Sequence, residues 1–190
     1  PQSAGLAPDV GTLMGWIADR LPARPSVELP AASAAVPART VLIPAAKRGG
    51  AGVLVGVTIC EDVWSPNGPL PEQAAGGIEL VVNLNASPFF AGRIRQRQEM
   101  LSTRAADAAC VVAYVNQVGG QDELVFDGGS MVFDSDGTVL ARAPQFVEHL
   151  LLADVQVGPV FRKRLLDPRG RPMAPTLPTV VVSQRSRSAA

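Results

Sequence analysis

The sequence predicts an α/β fold, because short apolar segments alternate with amphipathic ones across its middle. Val53 to Ile59, Ile78 to Leu84 and Cys110 to Val115 are short runs rich in β-branched residues, which is typical of buried strands. Between them, Pro71 to Ala75 is a short helix candidate, and Arg93 to Ala109 carries apolar residues at helical spacing. The order strand, helix, strand, helix, strand indicates crossover connections and a layered sheet.

Four further apolar runs follow and predict antiparallel strands that close the sheet. Turn-forming residues separate these runs, and the pairs Asp127-Gly128 and Asp136-Gly137 are typical of hairpins. From Gly158 onward, the arginines and prolines predict an extended basic tail or linker. The four runs are Leu124 to Phe126, Ser130 to Phe133, Thr138 to Ala141 and Val147 to Val155.

The N-terminal part of the chain is less regular. Val10 to Leu21 predicts an amphipathic helix that Asp9 caps and Pro22 ends. Pro22 to Ala51 is rich in Ala, Pro and Arg and contains no convincing pair of strands. We therefore expect one domain over residues 1–157, atypical at 22–50, followed by a tail over residues 158–190.

The composition argues against several classes of protein. The 17 basic and 17 acidic residues cancel, so nothing indicates a nucleic-acid or membrane partner. The chain has no apolar run of about 18 residues, no signal peptide and no disulfide framework, so we expect a cytoplasmic protein. The single histidine, His149, and the absence of paired cysteine spacing argue against a structural zinc site.

Cys60 is the most informative residue, because it stands where a predicted strand ends and two acids, Glu61 and Asp62, follow at once. Open α/β folds place their chemistry at this end of their strands. A structural cysteine is more often inside an apolar run, as Cys110 is. Cys60 is therefore a candidate nucleophile, and Cys110 a candidate core residue.

Three separate blocks of the sequence resemble the glutaminase domain of glutamine-dependent NAD synthetases, a branch of the nitrilase superfamily. The blocks are Gly56 to Trp64 (GVTICEDVW), Asn83 to Pro88 (NLNASP) and Ala113 to Gly128 (AYVNQVGGQDELVFDG). Val160 to Pro168 is similar to the start of the interdomain connection in that family. The resemblance implies an α-β-β-α sandwich and a Glu-Lys-Cys site, in which the cysteine attacks the side-chain amide of glutamine.

The same resemblance assigns roles to residues of this chain. Cys60 corresponds to the nucleophile, and the backbone N–H of the residue after it corresponds to an oxyanion donor. The three residues that match positions near the glutamine are Glu61, Trp64 and Ser87. A thiolate nucleophile needs a base beside it or a lowered pKa, and the tetrahedral intermediate needs donors for its oxyanion.

Pro8 to Arg20 is similar to the opening segment of the family. Between that segment and Cys60 the family has many more residues than this chain. That longer span holds early strands, the general-base glutamate and the lysine, so the sandwich is expected to be incomplete in its N-terminal half. Glu28 and Lys47 are the residues left to fill those two roles, although Lys47 is too close to Cys60 for the family spacing. An open sheet edge should then favour a homo-oligomer or other association.

We also expect no cofactor in this domain, because ATP and deamido-NAD would bind a synthetase domain that this sequence does not contain. No loop of the pyrophosphate-binding type lies between a predicted strand and helix. Two other hypotheses remain open. One is a catalytically silent remnant of the fold with a role in assembly, and the other is a nitrilase-like amidase for another small amide.

Overall fold

The computed structural model describes residues 39–43, 52–167 and 179–181, the first and last of these ranges by their backbone alone. All of them lie in the unit that runs from Pro37 to Ala190. The predicted helix at Val10 to Leu21 lies outside the described residues, as do Glu28 and Lys47.

The described strands form one large sheet and one separate ribbon. The sheet has seven strands in the order β8-β7-β4-β3-β2-β1-β9, and β5 pairs only with β6 within the described residues. The strands are β1 (Arg39–Ile43), β2 (Val53–Ile59), β3 (Leu80–Asn85), β4 (Val111–Asn116), β5 (Val118–Gln121), β6 (Leu124–Asp127), β7 (Met131–Phe133), β8 (Val139–Arg142) and β9 (Thr179–Val181).

The helices of the described part are α1 (Pro69–Ala75), α2 (Arg93–Ala108) and α3 (Gly158–Leu166). β2, β3 and β4 are parallel neighbours, and α1 and α2 are the crossovers between them. This arrangement confirms the predicted alternation of strands and helices, including β2 at Val53–Ile59. None of these helices has the length and apolar character needed to cross a bilayer.

The core lies between one face of the sheet and the helices. Leu70 of α1 and Leu101 of α2 pack with Val81, Val112 and other buried residues of the central strands. The other sheet face is more open, because Ile59 and Val115 are about half exposed there. The structure is thus mixed α/β, with α1 and α2 packed on one face of the sheet.

Parts of the sequence-based prediction were wrong, each for a physical reason. No convincing pair of strands was predicted in Pro22 to Ala51, and the structure describes one strand there, β1, whose short Arg-Thr-Val-Leu-Ile run is stabilised by antiparallel pairing with β2. Val147 to Val155 is not a strand, since β8 ends the described sheet and Leu150 and Leu152 are about four-fifths exposed. An apolar run without a neighbouring strand or a covering layer has nothing to pair with.

The two predicted hairpins behave differently. Asp136-Gly137 joins β7 to β8 as an antiparallel pair, as predicted, with Gly137 at a φ of +89°. Asp127-Gly128 does not form the turn of a hairpin, because β6 and β7 are not paired with each other: β6 pairs with β5, and β7 pairs with β4 and β8. The turn there redirects the chain from the ribbon to the sheet.

The residues from Gly158 also differ from the extended tail that the sequence predicted. Gly158–Leu166 is helical, and Val160 on this helix is fully buried. Lys163 donates to the carbonyls of Ser135 and Ala106, and Arg164 donates to the carbonyl of Ala108 at 3.0 Å. These cations satisfy carbonyls at the C-terminal end of α2, where the helix dipole favours positive charge.

Candidate active site

Cys60 begins a single 3₁₀ turn, Cys60–Val63, directly after the parallel strand β2. Its φ is +47°, a left-handed conformation that residues with a Cβ seldom adopt and that is often found at functional sites. The Asp62 carboxylate accepts the N–H of Ile59 at 2.9 Å and fixes the start of the turn. The free, half-buried thiol is therefore held at the carboxyl edge of the sheet by its own backbone.

Asn83 on the neighbouring strand anchors this turn from the side. Its amide nitrogen donates to the Thr58 hydroxyl at 3.0 Å and to the Cys60 carbonyl at 3.4 Å. Asn85 donates in turn to the side-chain oxygen of Asn83 at 2.6 Å. All three supporting side chains are buried, so the position of Cys60 rests on a rigid polar network.

Trp64, at the end of the turn, lies under the guanidinium of Arg93, the first residue of α2. The Arg93 Cζ is 4.0 Å from the Trp64 ring centroid and 5.0 Å from that of Phe90. Arg104 holds the Trp64 backbone by donating to its carbonyl at 3.0 Å. Among the described residues Arg93 makes no ion pair, and its Nε is buried without an acceptor. This cation is available to an anionic ligand.

Ser87 lies in the loop between β3 and α2 and is almost fully buried. Its N–H donates to the Asn116 side-chain oxygen at 2.8 Å, and its carbonyl accepts from Arg97 at 2.8 Å. Asn116 ends β4, so the loop is fixed to the edge of the sheet that also carries Cys60. The exposed Glu61 contributes its carbonyl to the turn by accepting the N–H of Trp64 at 2.9 Å.

Tyr114 connects the surroundings of Cys60 and Ser87. It is in register with Asn83, and its buried hydroxyl has no hydrogen-bond partner of good geometry. Burial raises the pKa of Tyr114, while Arg97 and then the nearby Ser87 side chain lower it. The Cys60 thiol also acts on this phenol and raises its pKa. Tyr114 therefore lies within electrostatic range of both Cys60 and Ser87.

The second cysteine has a different environment. Cys110 is fully buried in the core cluster, as predicted, and burial raises its pKa to about 12. Arg164 and Lys163 lower that pKa by a smaller amount. The buried thiol thus stays protonated at neutral pH, and only Cys60 is placed to react.

Comparison with known protein families decides the class of this fold. The family profile described as carbon-nitrogen hydrolase matches residues 27–161, which is well over half of the chain. The chain belongs to the carbon-nitrogen hydrolase family. Within the described residues of this hydrolase, no group of three or more His, Cys, Asp or Glu side chains could hold a metal ion.

Curated relatives of this hydrolase are much longer proteins. It is 48% identical over 120 residues to a glutamine-dependent NAD(+) synthetase of Aquifex aeolicus, which covers 63% of this chain and 21% of the relative. It is 46% identical over 122 residues to the same enzyme of Thermotoga maritima, covering 64% and 21%. The chain thus spans about a fifth of the length of these relatives.

Solved structures of other family members share its fold. A carbon-nitrogen hydrolase from Helicobacter pylori matches with a TM-score of 0.55 at 22% identity, covering 67% of this chain and 47% of that one. A CN-hydrolase superfamily protein from Xanthomonas campestris matches with a TM-score of 0.51 at 20% identity, covering 61% and 45%. At these identities the likeness shows the nitrilase-like fold alone.

The structure brings only some of the predicted site residues into one neighbourhood. Trp64 directly follows the turn that Cys60 begins, and the side chains of Asn83 and Asn116 fix Cys60 and Ser87 to the same edge of the sheet. Glu61 is exposed on the same turn. Among the described residues, the Cys60 thiol forms no hydrogen bond to a carboxylate or a lysine. Glu28 and Lys47, the candidates for the general base and the lysine, lie outside the described residues.

Sequence reasoning missed Arg93, although the sequence contained a signal for it. Arg93 and Arg95 occupy the first turn of α2, which has no acidic residue, so two cations face the positive end of the helix dipole. Cations are unfavourable in the first turn of a helix, and residues that are locally unfavourable in this way are typical of functional positions. Tyr114 could not be found in this manner, because its apolar neighbours on β4 give it the pattern of an ordinary core residue.

Proposed function

We propose that this hydrolase cleaves the side-chain amide of glutamine with Cys60 as nucleophile, and so supplies ammonia for glutamine-dependent NAD synthesis. The observation that carries the proposal is that a strained, half-buried cysteine begins the turn that leads to Trp64, and that Arg93, which lies over Trp64, has no ion pair among the described residues. The curated relatives, whose printed names specify glutamine dependence, support the choice of substrate.

The reaction follows from the position of Cys60. Its thiolate attacks the amide carbon, a C–S bond forms, and negative charge develops on the carbonyl oxygen. The backbone N–H of Glu61 is a donor for that oxygen, because the first N–H groups of a helical turn have no acceptor within it. The C–N bond then breaks and the nitrogen leaves as ammonia after taking a proton. Water hydrolyses the thioester to glutamate and restores the thiol.

Arg93 gives the site its preference for an amino-acid amide. Its guanidinium lies over Trp64 and has no carboxylate partner among the described residues, so it can pair with the α-carboxylate of glutamine. Ser87, on the loop that leads to α2, supplies a further polar group at the edge of the sheet that carries Cys60. Trp64 supplies the apolar surface on which the cation rests.

Thiol activation is the weak point of the site. The proton of the Cys60 thiol needs a base, and we propose that the site is impaired in this respect, because Lys47 is too close to Cys60 for the family spacing and Glu28 only partly matches the family's glutamate motif. Without a positioned base, the rate falls by a factor of about 100 to 10,000. We therefore expect slow turnover of glutamine by the 190-residue chain.

The test is ammonia release from glutamine by the 190-residue chain and by its Cys60→Ala variant, with Cys110→Ala as the matched control. We expect slow release that Cys60→Ala abolishes and Cys110→Ala leaves unchanged. Equal release by Cys60→Ala would refute the proposal. No release by any of the three would favour the catalytically silent remnant. Faster release from an amide without a carboxylate, such as butyramide, would favour an amidase for another small amide.

A further inference from the structure

Arg97 is a fully buried cation on α2, one helical turn after Arg93. Its Nη1 is 2.6 Å from the Asp127 carboxylate, and neither side chain is exposed to solvent. Its Nη2 donates to the Ser87 carbonyl at 2.8 Å, to the Pro88 carbonyl at 3.0 Å and to the Ser87 hydroxyl at 3.3 Å. One guanidinium thus binds a carboxylate and the whole Ser87–Pro88 turn.

Asp127 extends this network to a third segment of the chain. Its second carboxylate oxygen accepts from the Gln145 amide at 2.6 Å, and its carbonyl accepts the N–H of Phe146 at 2.8 Å. The residue before it, Phe126, forms a bridge with Pro88. The Arg97–Asp127 pair therefore joins the Ser87 loop, the end of β6 and the segment after β8.

Stability alone does not account for this pair. A buried ion pair loses the hydration of both charges, and well-packed apolar residues commonly replace it without loss of stability. The Nε of Arg97 is also buried without an acceptor, which adds a further cost. What apolar residues could not do is hold three acceptors of one loop in a fixed arrangement.

The pair also separates the charges of two arginines on one helix face. Arg93 and Arg97 are four residues apart, so their like charges repel. Asp127 neutralises Arg97, whereas Arg93 has no ion pair among the described residues. Arg97 therefore has its carboxylate partner within the protein, whereas Arg93 can bind an anionic ligand.

We propose that Arg97 is a positioning residue that holds Ser87 in place for recognition of the amide substrate, an inference that rests on the proposed function. It acts through the two loop carbonyls and does not touch the substrate. Asp127 neutralises its guanidinium at Nη1, while the bonds from Nη2 to the loop carbonyls orient it. Loss of Arg97 should thus weaken substrate recognition without changing the intrinsic reactivity of the Cys60 thiol.

The experiment compares two variants that differ only at position 97. Asp127→Asn keeps the Arg97 bonds to Ser87 and Pro88, while the double variant Arg97→Met/Asp127→Asn removes them and leaves no buried charge. A thiol-reactive diazoketone analogue of glutamine is used to label Cys60, and iodoacetamide labelling measures the intrinsic reactivity of the thiol. Amide hydrogen exchange of Ser87, relative to Leu101 in the middle of α2, reports on the loop directly.

We expect the double variant to raise the half-saturating analogue concentration about tenfold over Asp127→Asn, the factor that loss of one charge-assisted hydrogen bond gives. Its iodoacetamide rate should stay unchanged, and the Ser87 amide should exchange faster while Leu101 does not. Equal exchange at Ser87 in the two variants, or a uniform rise across the fold, would overturn the proposal. If the unaltered chain shows no saturable labelling, the proposed function fails, and the exchange comparison still decides the role of Arg97.

Discussion

The guanidinium of Arg93 lies over the indole ring of Trp64, with Cζ 4.0 Å from the ring centroid. This contact joins the turn that begins at Cys60 to the helix that follows the Ser87 loop. A cation held on an aromatic face keeps its donors directed outward for a planar anion. In the function proposed above, this pair recognises the carboxylate of the substrate.

Replacing Arg93 tests this role. We expect Arg93→Met to weaken binding of glutamine about 10- to 100-fold, because it removes charge-assisted hydrogen bonds to the carboxylate. The measurement is the glutamine concentration that half-protects Cys60 from iodoacetamide. Arg95→Met is the matched control, since Arg95 is exposed and pairs with Glu99 on the helix surface. Equal protection in Arg93→Met and the unaltered chain would exclude a carboxylate at Arg93.

The two cysteines should differ sharply in reactivity. Cys60 is half-buried, whereas burial raises the Cys110 pKa to about 12 and keeps that thiol protonated. We expect a thiol reagent at neutral pH to label one cysteine of the native chain, and peptide mapping to identify it as Cys60. Labelling of Cys110 should appear only after denaturant is added. Rapid native labelling of both cysteines would contradict the described core.

The same pKa shift predicts a loss of stability in alkali. The folded pKa of Cys110 lies above its ordinary value of 9.0, so the unfolded chain releases this proton first as pH rises. The contribution is fully present below about pH 9 and is lost as the pH rises toward 12. Urea denaturation of the chain and of Cys110→Ala across this range should show a smaller alkaline decline in the variant. An identical decline in both would contradict this assignment.

Several elements were predictable because local pattern and tertiary context agree in them. β2 is a short apolar run that is buried in the sheet, and α2 carries apolar residues at helical spacing, of which Leu101, Ala105 and Ala108 are buried. β1 could not be predicted, because its structure depends on pairing with β2. The helix at Gly158–Leu166 could not be predicted either, because its contacts are with carbonyls at the end of α2. At the site, the sequence marked Cys60 by its position. Arg97 was hidden, since its importance depends on Asp127, 30 positions away.

Asn83 should be important to stability as well as to the site. Asn83→Ala removes the donor to the buried Thr58 hydroxyl and to the Cys60 carbonyl, while the Asn85 amide keeps its two backbone acceptors. Such unsatisfied groups cost about 1–3 kcal/mol each. Urea denaturation should show a lower midpoint for Asn83→Ala than for the control Asn67→Ala, whose side chain is exposed. Equal midpoints would show that the polar network does not stabilise the turn at Cys60.

The open sheet face predicts association between chains. Ile59 and Val115 are 55% and 43% exposed on either side of Leu84 on that face, and unpaired strand edges also favour association. We expect light scattering to detect oligomers, and Val115→Lys to lower their mass. A stable monomer at high concentration would contradict the expectation that this part of the fold is uncovered.

The central claim is that Cys60 is a nucleophile in a site that recognises glutamine. Its most direct test is labelling of the 190-residue chain with a diazoketone analogue of glutamine, followed by intact-mass measurement and peptide mapping. We predict one adduct, on Cys60, with a rate that saturates with analogue concentration and falls when glutamine is added. Labelling that rises linearly with concentration, ignores glutamine or reaches Cys110 equally would contradict the claim.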